Sequence, residues 1–234
     1  MNPHKMTARM VGAFYIAATV AGIVGLAFSD PIVGASDYLT KISAHENQVL
    51  IGALFELIMA VAVAGIAIAV YPVLRQRNAS IAVGYVGARI VESMLFLIGV
   101  ISLLLLVTLS REFVKAGSPD ASYFHTIGEL LLAVRDWGGH VILDVAVFPL
   151  GALIFYSLLY QFKLVPRWVS GWGLIGAVLY WSAGVLVMFD LIEALSTPQI
   201  LLQAPLGLQE IALAVWLIVK GFNTPAIAAE TVEV

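Results

Sequence analysis

Long apolar runs, each bounded by charges or turn-forming residues, recur from one end of the chain to the other. They cover residues 6–28, 48–74, 79–109, 139–160, 168–189 and 206–222. An α-helix rises 1.5 Å per residue, so about twenty residues cross a hydrocarbon core of about 30 Å, and each run is predicted to be a transmembrane helix. The first run follows Lys5 and Arg9 and has the outline of a secretory signal. It is longer than a signal core and five further runs follow it, so it is expected to remain as the first span. Within it, Ala18, Gly22 and Gly25 form a small-residue stripe suited to close helix contact.

The segments between the runs refine this pattern. Arg75 and Arg77 end the second run just before the third begins, which predicts a tight helical hairpin. A polar stretch starts at Ser110, and Ser118-Pro119-Asp120 reads as a helix start, with a capping side chain and a first-turn proline. An amphipathic interfacial helix is therefore expected over 119–137. Pro72 and Pro149 predict kinks or helix ends.

Charge orients the bundle. Lys5, Arg9, Arg75, Arg77, Lys163, Arg167 and Lys220 gather on one side, against Lys41, Arg111 and Lys115 on the other. The richer side is expected to be cytoplasmic. Trp168, Trp172, Trp216, Tyr71, Tyr156 and Tyr160 fall near that side and Trp137 near the other, as aromatic belts would. The expectation is an all-α polytopic bundle: one transmembrane domain over residues 1–234, six spans, and both the N and C termini in the cytoplasm.

Composition agrees. Of 234 residues, 61% are hydrophobic and 12% charged, and the mean hydropathy is +0.99, whereas soluble domains are about half apolar and about a quarter charged. Lipid must be the solvent for most side chains, and the bilayer the first partner. The absence of cysteine excludes disulfides, thiolate metal sites and cysteine nucleophiles. A net charge of −3 with no basic face gives no support to nucleic-acid binding. No phosphate loop, nucleophile elbow or dinucleotide fingerprint is present, so no cofactor is expected and enzymatic activity is not the leading reading.

Three pieces of sequence carry a resemblance: His140-Val-Ile-Leu-Asp144, the string Val165-Pro-Arg-Trp-Val-Ser-Gly-Trp-Gly-Leu-Ile-Gly176, and the opening Ala8-Arg9-Met-Val-Gly12 with Phe14-Tyr15. Together they resemble an uncharacterised bacterial membrane family, domain of unknown function 4386, over roughly Met6 to Phe222. The Pro166-Arg167 hairpin is the most specific piece. The resemblance implies a multi-pass protein of the bacterial cytoplasmic (inner) membrane with about this helix count. It brings no catalytic residue, ligand or substrate class.

Ionisable groups inside a bilayer cost several kcal/mol at mid-depth, and each is a functional hypothesis. Glu56, Arg89, Glu92, His140, Asp144 and Glu210 all fall within predicted spans. They are expected in the outer half or near the middle, where they form a candidate ligand or proton pocket opening outward. Arg89 and Glu92 share a helix face at a spacing of three. Asp136, His140 and Asp144 follow one another at steps of four, with Glu129 on the same stripe, unless Gly138-Gly139 breaks the helix. A metal held by His140, Asp144 and a further carboxylate lacks any His-Glu-x-x-His signature, and no metal is expected. A proton path suits carboxylates and histidine better, but no matching chain of titratable groups extends below Arg89. Three functions stand open: binding or translocation of a small polar ligand, ion or proton; an accessory protein beside a partner membrane protein, with the charges as helix glue; and a membrane enzyme acting on a lipid or small apolar substrate.

Overall fold

The computed structural model describes residues 3–117 and 121–223. The expected helix start at Ser118-Pro119-Asp120 lies outside the described residues. Among them every regular element is a helix: α1 (Pro3–Val33), α2 (Tyr38–Ala44), α3 (Glu46–Leu74), α4 (Ala79–Ala116), α5 (Ala121–Asp136), a π-helical segment (Trp137–Val147), α6 (Phe148–Gln161), α7 (Arg167–Met188) and α8 (Thr197–Val219). Six stretches are long and apolar enough to cross a membrane: His4–Val33, Glu46–Leu74, Ala79–Ala116, Ser122–Gln161, Arg167–Met188 and Thr197–Val219. The protein is a multi-pass helical bundle.

Local chemistry sets the turns. Asn78 is extended, and its side chain accepts the Ile81 N–H at 2.9 Å, capping α4. Pro166 precedes α7, and Pro198 occupies the first turn of α8, where a missing N–H costs nothing. The start of α1 meets the end of α8, with Arg9 Nε donating to the Ile218 carbonyl at 3.4 Å. Asn223 N–H donates to the Leu164 carbonyl at 2.9 Å. Both ends of the described chain therefore lie at one end of the bundle, called here the terminal end; the other is the distal end.

Two apolar clusters fill the interior. The larger, near the terminal end, includes Tyr15, Ile66, Tyr85, Phe155, Leu159 and Leu213. The smaller lies distally, where Tyr38, Leu39 and Ile42 of α2 close over Val49, Leu103 and Leu106. Hydrogen bonds fasten α2 as a cap: Ser110 Oγ donates to the Leu39 carbonyl, and Tyr38 Oη to the His125 carbonyl at 3.4 Å. Burial pushes the Tyr38 hydroxyl above its ordinary pKa, so it stays a donor. The small-residue stripe of α1 packs on α3. A Cβ at Gly25 would stand 3.2 Å from the Glu56 nitrogen, and one at Gly52 3.1 Å from the Gly25 carbonyl oxygen. Around the outside, Ile23, Val61, Ile68, Val83, Ile101, Ile175 and Leu201 are exposed. In water such a girdle would drive association, and in lipid it matches its solvent.

The fourth span departs from expectation. The helix expected over 119–137 is continuous with the fourth span, because α5 runs through Gly138-Gly139 into the π segment and on into α6. Gly138-Gly139 do not break the helix, which widens there instead. Pro149 supplies a reason: it has no N–H to donate, and its ring crowds the carbonyl four residues back. The Phe148 N–H accordingly bonds the Leu143 carbonyl, five residues back. The last span also differs, since α8 begins at Thr197 rather than near Leu206 and carries Pro205 inside it.

Candidate functional site

The six intramembrane residues fall into three neighbourhoods. Glu56 of α3 is clasped by a residue not anticipated from sequence, Arg135 of α5. Arg135 Nη1 donates to Glu56 Oε2 and Nη2 to Oε1, each at 3.0 Å. The same Nη1 donates to the Gly99 carbonyl at 3.0 Å, and Ser29 Oγ to Glu56 Oε1 at 3.1 Å. One buried ion pair thus ties α1, α3, α4 and α5 together. Arg135 escaped notice because its segment reads as interfacial, where an arginine is solvated. The signal in the sequence is its place as the one lysine or arginine between Ser122 and Gln161.

The second neighbourhood lies at the centre. Arg89 Nη1 stands 2.9 Å from Glu92 Oε2, and both side chains are almost completely buried. The guanidinium carbon lies 5.9 Å from the Tyr15 ring centroid and 5.9 Å from that of Phe148. Glu210 of α8 is within Coulombic range of Arg89 and Glu92. It was expected in the outer half of its span, but the early start of α8 places it closer to Val219 than to Thr197.

The third neighbourhood belongs to the π segment. Asp144 is buried and has no basic partner; it accepts hydrogen bonds from Tyr180 Oη at 2.9 Å, Gln203 Nε2 at 2.8 Å and Gln199 Nε2 at 3.3 Å. The Gln199 amide is oriented in turn by accepting the Leu195 N–H. At Gly184 of α7 a Cβ would stand 2.8 Å from the Asp144 Cβ, so glycine lets α7 approach closely enough for Tyr180 to reach the carboxylate. Tyr180 is the partner that α7 contributes. Gln199 and Gln203 were missed because their segment reads as a polar loop.

One turn nearer the distal end, His140 lines an open cleft of about 460 Å³. Its other walls are Asp136, Trp137 and Val141 of the rod and Val187, Asp190, Ile192, Glu193 and Ala194 of the α7–α8 connection. Asp190 sits in the left-handed region at φ 55°, held by the hydrogen-bonded turn that ends α7. Asp136, His140 and Asp144 thus descend from the cleft into the bundle, one polar side chain per turn. Of the six predicted residues, His140 lines the cleft, Asp144 lies behind it, and Glu56, Arg89, Glu92 and Glu210 have the other neighbours given above. Among the described residues no group of three or more His, Asp or Glu side chains is arranged to hold a metal ion.

A family model described as domain of unknown function (DUF4386) matches residues 10–221. The chain belongs to the DUF4386 family. Neither a curated protein nor a solved structure gives a match. The family description carries no activity or ligand, so any role for a DUF4386 member of this sequence rests on the geometry above.

Proposed function

We propose that this protein is a binding protein of the bacterial cytoplasmic membrane that admits a small organic cation to the distal cleft. The observation that carries this reading is the lining itself. Asp136, Asp190 and Glu193 stand around one cleft with the indole of Trp137 and an apolar floor of Val141, Val187 and Ile192, and no lysine or arginine lines it. Carboxylates with an aromatic face suit a protonated amine or quaternary ammonium, and the aliphatic side chains suit its carbon skeleton.

The charge pattern supports the choice of ligand. At the distal end Asp37, Glu46 and Glu112 pair with Lys41, Arg111 and Lys115, which leaves Glu129, Asp136, Asp190 and Glu193 as its excess of negative charge, whereas Lys5, Arg75, Arg77, Lys163, Arg167 and Lys220 mark the terminal end. A distal acidic rim raises the local concentration of cations, and the basic terminal end is the cytoplasmic one by the positive-inside rule. Asp144, buried behind His140 without a cationic partner, adds a further polar group on the same ladder.

A second reading, helix glue in an accessory protein, is favoured by the Arg135–Glu56 clasp, which joins four helices. That role accounts for Glu56 and leaves the cleft unexplained.

Trp137 supplies the test. Protein in nanodiscs, titrated with tetramethylammonium and with primary alkylamines, should show a saturable change in tryptophan emission that Trp137→Phe removes and that Asp190→Asn with Glu193→Gln abolishes. An equal response to neutral molecules of the same shape, or no saturable change with any cation, would overturn the reading.

A further inference from the structure

The centre of the bundle holds a second polar system that is separate from the cleft. It draws on five of the long elements packed there: Tyr15 from α1, Tyr85, Arg89 and Glu92 from α4, Tyr156 from α6, Tyr180 from α7 and Glu210 from α8, with Asp144 of the π segment beyond Tyr180, while α3 faces them with Val63, Ile66 and Val70. As glue it is poorly built. Arg89 and Glu92 lie on the same helix, so their 2.9 Å contact joins no two elements. Arg89 Nε, Glu92 Oε2 and the hydroxyls of Tyr85 and Tyr156 are all buried without a well-aligned hydrogen bond, with the Tyr15 phenol beside the two hydroxyls.

An unsatisfied buried donor or acceptor costs about 1–3 kcal/mol, more for a charged one, and native interiors meet such groups with water or a ligand. The guanidinium Nε and three oxygens near it, all without an aligned partner, therefore point to a small polar occupant. The surroundings select which. The charges are one guanidinium and two carboxylates, Glu92 at 2.9 Å and Glu210 across on α8. In a lipid-embedded interior a single cation neutralises a single carboxylate, and a second ionised carboxylate would stand uncompensated. Tyrosine hydroxyls both donate and accept, so they suit water in either orientation.

We infer that the Arg89 cluster is a hydrated proton-binding centre, in which Glu92 and Glu210 share one guanidinium and one of the two carboxyls carries an exchangeable proton. Tyr180 connects this centre to the distal side through its hydrogen bond to Asp144. Tyr85 and Tyr156 lead the other way, since each lies in the terminal-end portion of its helix. Gly173 leaves room for the Tyr156 ring, where a Cβ would stand 2.6 Å from ring carbons. The chain of titratable groups that stops at Arg89 in the sequence thus continues, as phenols, toward the terminal end. The proton itself needs only to leave a carboxyl oxygen for water and return, with no change in bonding elsewhere.

Infrared difference spectroscopy of the protein in nanodiscs reads this directly. At neutral pH the unmodified protein should show the carbonyl stretch of a protonated carboxyl group, and that band should shift on transfer to D2O. Glu210→Gln should abolish the component that Asp144→Asn leaves in place. An absent band, a band that does not shift in D2O, or a band that survives in both Glu210→Gln and Glu92→Gln would overturn the inference. The D2O shift is measured on the unmodified protein, so it stands even if a variant fails to fold. Amine titration of Trp137 reports separately on the cleft, and either result can fail without the other.

Discussion

Glu56 and Arg135 show how a single pair can hold several helices in register. The pair is bidentate, with side chains 7% and 16% exposed, and its spare valences go to Ser29 and the Gly99 carbonyl. Removing one partner of such a pair leaves a buried charge and typically costs about 3–5 kcal/mol, whereas removing both is far milder. Arg135→Met should therefore lower the unfolding temperature in detergent sharply, and Glu56→Gln combined with Arg135→Met should recover most of the loss. Equal stability of Arg135→Met and the unmodified protein would refute the clasp. Sequence pointed to Glu56 because a carboxylate amid aliphatic residues is conspicuous, but its partner lies 79 residues away and no spacing rule reaches that far. Tyr156 illustrates the same limit: it was expected in an aromatic belt and instead lies fully buried at the core.

At the scale of elements, hydropathy revealed all six spans, since long apolar runs have no other stable solution in a bilayer. It did not reveal their ends. Gln199 and Gln203 make the start of α8 look like loop until Asp144 is seen to accept from both. Gly138-Gly139 left a helix break open as an alternative, and neighbouring helices instead hold the backbone in a π segment that places His140 at the cleft and Asp144 behind it. Close packing against α7 fixes that segment. Gly184→Val should destabilise the protein by about 1–3 kcal/mol, the usual cost of overpacking, because its Cβ would stand 2.8–2.9 Å from the Asp144 Cβ, carbonyl carbon and oxygen. Gly87→Ala, where a Cβ meets nothing within 4 Å, should be neutral or stabilising by up to about 1 kcal/mol. Thermal unfolding of the two variants side by side checks the contrast, and equal effects would show that α7 does not press on the π segment.

Over the whole molecule, the two ends of the bundle differ in charge and in construction. The terminal end is basic and is closed by contacts between α1, α8 and the Lys163–Leu164 turn. The distal end is acidic, capped by α2 and opened by the cleft beside Trp137. Charge asymmetry was legible in the sequence, since loop lysines and arginines need no fold to be counted. The cleft was not, because its walls come from residues 136–141 and 187–194, joined only when α7 packs along the π segment. The natural chain has no cysteine, so single cysteines can report on both ends. The most direct measurement is labelling of Ala194→Cys, in the cleft, and Lys163→Cys, at the terminal turn, with a membrane-impermeant maleimide in intact cells. Ala194→Cys should react from outside and be slowed by an organic cation, while Lys163→Cys should react only after permeabilisation. Labelling of Ala194→Cys only from the cytoplasm, or at a rate that no organic cation changes, would contradict an outward cation-binding cleft.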